Sequence, residues 1–101
     1  MPQPPGVMAA PNKVRFKARV IGLEKDSRFS DKWYIDVEIL NSESIEGPNF
    51  AREGERAKAF AFDVTPGFLP QKAETGNTIV VEAEYVGDGM HGTFRIMRMD
   101  S

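Results

Sequence analysis

The sequence predicts an all-β fold, a single closed five-stranded barrel, and three observations predict it. Apolar residues recur at every second position through five segments, turns rich in Gly, Pro and Asn separate those segments, and no stretch of any length shows helical spacing. Short strands with such regular punctuation fit a small barrel or sandwich, because each strand has one apolar face to bury and no helix to bury it against.

Each element follows from its residues. Residues 1–12 hold Pro2, Pro4, Pro5 and Pro11, one glycine and no periodic pattern, which predicts a disordered, Pro-rich N-terminal tail ahead of a domain at residues 13–101. In the first strand Val14, Phe16, Ala18 and Val20 face the core, and Lys13, Arg15, Lys17 and Arg19 face outward. After the polar stretch Glu24–Asp31, the second strand turns Trp33, Ile35, Val37 and Ile39 inward and Tyr34, Asp36 and Glu38 outward. Asn41 to Glu55 reads as a long loop. The third strand sets Phe60, Phe62 and Val64 against Ala57, Ala59 and Ala61; with the aromatics taken as core, the alanines make a flat outer surface without a stacking platform.

Pro66-Gly67 ends that strand, and Phe68–Glu74 has room for one helical turn. The fourth strand follows Thr75-Gly76-Asn77, with Ile79, Val81, Ala83 and Tyr85 opposite Val80, Glu82 and Glu84. Gly87-Asp88-Gly89 and Gly92 frame a tight hairpin, and the fifth strand puts Phe94 and Ile96 on the core face. Met97 and Met99 fall on the opposite side, as a partner contact or as filling beneath a loop.

Composition narrows the function. At 101 residues the chain makes one domain, and with 41% hydrophobic residues it needs no metal or disulfide to fold. The net charge of −2 denies it the strongly basic balance of many nucleic-acid binders, so any such surface must be a local patch. No apolar run approaches the ~20 residues of a membrane span, and Met1–Asn12 lacks the regions of a signal peptide. The expectation is a cytoplasmic protein with no membrane partner. With His91 the only histidine and no cysteine, a zinc site is not expected, nor any other cofactor. Gly87-Asp88-Gly89 precedes no helix and so is no phosphate-cradling loop. Carboxylates such as Asp36 and Glu38 lie on an open sheet surface where nothing raises a pKa for acid catalysis; an enzyme is not expected.

The second half of the chain carries a family resemblance. Thr75-Gly76-Asn77-Thr78, Ile79-Val80-Val81-Glu82-Ala83, Tyr85-Val86-Gly87-Asp88 and Gly92-Thr93-Phe94-Arg95-Ile96 resemble the turn, fourth strand, hairpin and fifth strand of oligonucleotide/oligosaccharide-binding (OB) domains. The likeness extends from Lys13 to Met99 and implies a Greek-key OB-like barrel. The long loop after strand two and the short connector after strand three depart from the family pattern; an SH3-like barrel or small sandwich stays open.

The resemblance places strand one between strands two and four, which gives its basic row two readings. It is a phosphate track, or it pairs laterally with Asp36 and Glu38 on one side and Glu82 and Glu84 on the other; the acidic neighbours favour the pairing. The resemblance also implies a ligand groove between the loops joining strands one to two and four to five. Lys25, Arg28, Phe29 and Lys32 occupy the first loop, Tyr34 the adjoining sheet face, and His91 and Arg95 the second wall. These residues would combine stacking with positive charge, unless Phe29 folds back over the barrel end. The expected function is a non-enzymatic binding module for single-stranded nucleic acid; the alternative is a protein-protein interaction module, or a homo-oligomer, on the same barrel.

Overall fold

The computed structural model describes residues 11–87 and 92–100. The five strands are β1 (Lys13–Lys25), β2 (Lys32–Glu46), β3 (Arg56–Phe62), β4 (Thr78–Gly87) and β5 (Gly92–Met99), with one 3₁₀ turn at Pro70–Ala73. They close into a barrel in the order β1-β2-β3-β5-β4, with β4 returning to β1. All neighbouring pairs are antiparallel except β3 with β5, which are parallel at Ala59↔Phe94 and Phe60↔Arg95. This is the order expected of an OB-like barrel, with β1 between β2 and β4. No helix among the described residues is long and apolar enough to cross a membrane.

β1 can serve two neighbours because it bends. Its register with β2 shifts between Lys17 and Ala18 and again between Val20 and Gly22, and such bulges raise the local twist of a strand. Val14, Phe16, Ala18 and Val20 stay inside throughout. β2 is longer than expected: Asn41–Glu46 continues the strand against Lys13–Lys17, so the loop to β3 is confined to residues 47–55. The polar composition of that stretch hid a strand whose side chains have little interior to face.

β3 faces the other way from the sequence expectation. Ala59 and Ala61 are fully buried, while Phe60 and Phe62 point outward and are half-buried. The reason is volume. A five-stranded barrel has a narrow interior, and it is filled by Phe16, Phe94, Ile35 and Val81 from other strands. Ala59 sits opposite Ile35 on one side and Phe94 on the other, where a second large residue would overpack the core.

β5 supplies a second correction. Ala83 pairs with Ile96 but Glu82 pairs with Arg98, so Met97 is an extra residue in the strand. The bulge resets the alternation and turns Met99 inward, to 2% exposure. Met99 is therefore core rather than surface. The turn at Pro66-Gly67 packs against this strand end: Met99 donates its N–H to the Pro66 carbonyl at 2.9 Å. Gly67 has φ +77°, and a Cβ there would lie 1.8 Å from the Met99 carbonyl oxygen, so both conformation and space require glycine.

The ordered barrel includes Asn12. Its amide donates to the Tyr85 carbonyl at 3.1 Å and accepts the Tyr85 N–H at 2.7 Å, replacing a missing strand partner at the end of β4. The first ten residues of the expected tail lie outside the described residues.

Candidate nucleic-acid interface

The inversion of β3 creates a surface that the sequence did not indicate. Cross-strand register brings Tyr34 of β2 opposite Phe60 of β3, and Lys32 opposite Phe62, all on the outer face. Phe60 and Phe62 meet edge to face with centroids 6.0 Å apart. The Lys32 ammonium stands over this cluster, 4.6 Å from the Phe60 centroid, 5.1 Å from Tyr34 and 5.9 Å from Phe62. Lys58 approaches Tyr34 from the other side at 5.7 Å. Cation–π contacts at exposed sites contribute about 0.5–1 kcal/mol each, enough to hold the two ammoniums near the rings without fixing them there.

The β1–β2 loop forms one wall of a groove of about 440 Å³ beside Tyr34 and Lys58. Asp26 shapes that wall. Its carboxylate accepts the backbone N–H groups of Arg28 at 2.7 Å and Phe29 at 2.9 Å, a local turn that fixes where both side chains leave the chain. These two N–H bonds, Phe29 first, hold the Asp26 carboxyl below the usual carboxylate range; the Tyr34 hydroxyl and the Lys32 charge act in the same direction. Because the folded pKa is depressed, the turn is complete above the ordinary aspartate range and is lost as pH falls through the lower, folded value. The Arg28 and Phe29 amide resonances should therefore move together in an acid titration, with a midpoint below the ordinary range. Amides that titrate in the ordinary range, or do not move, would remove Asp26 from this role.

The expected site residues separate as follows. Lys25, Arg28, Phe29, Lys32 and Tyr34 all line the groove. Phe29 is 56% exposed and does not fold over the barrel end. Lys25 also lies 5.3 Å from the Trp33 ring, whose Nε1 donates to Asp63 at 2.9 Å. Arg95 is beside Phe60 across the β3–β5 pair, but its Nε is bound to Glu84 at 3.0 Å. His91 lies outside the described residues. Phe60, Phe62 and Lys58 were missed. One signal could have found them: Arg56 and Lys58 share the parity of Phe60 and Phe62, and two cations do not belong on a core face.

Ion pairing distinguishes the arginines of β1 and β5 from the cations near the groove. The outward arginines of β1 and β5 are neutralised: Arg19 by Glu38 at 2.9 Å, Arg15 by Asp100, Arg98 by Glu82, and Arg95 by Glu84. The lateral pairing expected for the β1 row is thus present in part, with β5 and Asp100 supplying partners that β1 and β4 were expected to share. By contrast Lys25, Arg28, Lys32, Arg56 and Lys58 form no ion pair among the described residues. Lys13, Lys17, Arg52 and Lys72 form none either; what sets the β2–β3 face apart is that its unpaired Lys32 and Lys58 lie over aromatic rings.

Comparison of the chain with protein-family models, with curated proteins and with solved structures gave no match.

Proposed function

We propose that this protein is an OB-type module that binds single-stranded nucleic acid on the outer face of β2 and β3. The observation that carries the reading is the group of outward rings, Tyr34, Phe60 and Phe62, with unpaired lysine ammoniums over them. Bases offer flat faces to stack and phosphates offer charge, and this surface supplies a counterpart to both. Tyr34 and Phe60 would take bases. Lys25, Arg28, Lys32 and Lys58 would take phosphates, with Lys32 swinging off the rings as a base arrives. Of the acidic residues, Glu38, Glu82, Glu84 and Asp100 are engaged by arginines of β1 and β5 rather than by the lysines over the rings. The competing protein-interaction reading loses the Met97–Met99 pair as a surface, since Met99 is core.

Fluorescence-anisotropy titration with labelled oligo-dT and oligo-rU, at low and physiological salt, tests the proposal. Micromolar or tighter binding that weakens with salt is the expected result. Arg28→Ala and Lys58→Ala should each lower the slope of log affinity against log salt by roughly 0.7, the value for one phosphate contact on a single strand. Absence of binding at low salt, where charges are least screened, would sink the reading.

A further inference from the structure

We infer that the bound strand does not end on the Tyr34–Phe60 platform but continues over Lys58 to stack a further base against Phe50, in the cleft between the starts of β3 and β5. The inference rests on the nucleic-acid reading above.

The cleft exists because β3 and β5 pair only at Ala59↔Phe94 and Phe60↔Arg95. Ahead of that point they part, leaving a depression of about 250 Å³ that Phe50, Tyr85, Arg56 and Lys58 help to line. Phe50 comes from the loop after β2, and that loop is tied down. Ala51 is buried and donates its N–H to Asn49 Oδ1 at 2.8 Å, Ser42 Oγ donates to the Ala51 carbonyl at 2.7 Å, and Gly54 N–H donates to the Ile39 carbonyl at 2.7 Å. The Phe50 ring is thus presented by an ordered segment.

Its position is fixed from below as well. Phe50 stacks on Tyr85 with centroids 4.7 Å apart and planes 18° from parallel. Tyr85 meets Phe94 edge-on at 5.2 Å, and Phe94 meets Phe16 at 5.2 Å, so a column of four rings runs from the core to the surface. Gly92 lets Tyr85 lie against β5, since a Cβ there would be 2.0 Å from the Tyr85 ring. At the top of this column Phe50 is still 37% exposed. A rigid, partly exposed aromatic with cations beside it has the chemistry of a base-stacking subsite.

Continuity with the platform comes from Lys58, which lines the Tyr34 groove, the Phe50 cleft and a third depression between them. Asp36 and Glu55 also border this path, so a phosphate on it would be repelled by them and held by Arg56 and Lys58.

The test is affinity as a function of length, with dT and rU oligomers of four and twelve nucleotides; OB domains engage about 4–16. Wild-type protein should bind the twelve-mer more tightly. Phe50→Ala should weaken the twelve-mer by about 5- to 150-fold and leave the four-mer within roughly twofold, because one base stack on an aromatic is lost only when the strand is long enough to reach it. Phe50→Leu keeps an apolar cover on Tyr85 and should reproduce the loss, while Phe50→Trp should restore affinity. Equal losses at both lengths, or no loss at either, overturn the subsite while leaving the platform standing. A wild type that binds neither length overturns the platform and the subsite together.

Discussion

Phe60→Ala should reduce affinity for single-stranded oligonucleotides by about 5- to 150-fold, the equivalent of about 1–3 kcal/mol for one base stacked on an aromatic ring. Tyr34→Ala should do likewise, and the pair decides how many bases the platform holds. The two residues are direct partners across β2 and β3, where side chains stand about 5 Å apart, close enough for one base to cover both rings. If one base does so, the double variant loses little more than either single. If each ring takes its own base, the losses add. Both side chains face outward and are only half-buried, so both variants should keep the wild-type circular dichroism and unfold cooperatively. Unchanged affinity in both would remove the platform. Lys32→Met separates charge from stacking: it keeps an apolar stem over the rings and deletes the ammonium, so it should lower the salt dependence more than the affinity at high salt.

How much of this was legible in the sequence differs from strand to strand. β1, β2 and β4 alternate apolar with charged residues, and in a barrel a charge cannot point inward, so their faces were readable from period alone. β3 alternates aromatic with alanine, and both belong inside by ordinary preference. There the decision is made by the volume left over once Phe16 and Phe94 have entered from other strands, which no window along β3 contains. Only the charges at Arg56 and Lys58 mark the outer parity locally. In β5 the alternation was read correctly up to Ile96 and then broken by one extra residue at Met97. A bulge has no composition of its own, so Met99 was set on the wrong face.

The groove was legible for a different reason. Charged and aromatic residues packed into six or seven positions between two strands must be displayed at a strand junction, whatever their conformation. Lys25, Arg28, Phe29 and Lys32 were assigned to a groove because the OB resemblance makes this loop one of its walls, and they do line one depression beside Tyr34. What the loop alone could not give is the surface it opens onto. That surface depends on the register of β2 with β3, and the register puts Tyr34 beside Phe60 rather than beside an alanine.

The sharpest check on that geometry is a stability measurement. Ala59→Glu should abolish folding or come close to it, whereas Phe60→Glu should leave a folded protein. Ala59 is fully buried between Ile35 and Phe94, with no buried cation among the described residues to receive a carboxylate. An uncompensated buried charge costs about 3–5 kcal/mol, and the added volume a further 1–3 kcal/mol or so. A domain of this size has a total stability of about 5–15 kcal/mol, so a sum of about 4–8 kcal/mol takes a large part of it and all of it at the lower end. Ala59→Leu, which adds volume without charge, should destabilise by the smaller figure of about 1–3 kcal/mol and so separate the two contributions. At Phe60 the opposite holds. A glutamate there forfeits the apolar contact of a half-buried ring, about 1 kcal/mol, but faces solvent and the Lys32 ammonium. Urea unfolding followed by circular dichroism reads all three variants. The reverse pattern, with Phe60→Glu unfolded and Ala59→Glu intact, would put the aromatics of β3 inside the barrel. That result would withdraw the stacking platform at the same stroke, because the nucleic-acid reading and the inverted strand stand on one observation.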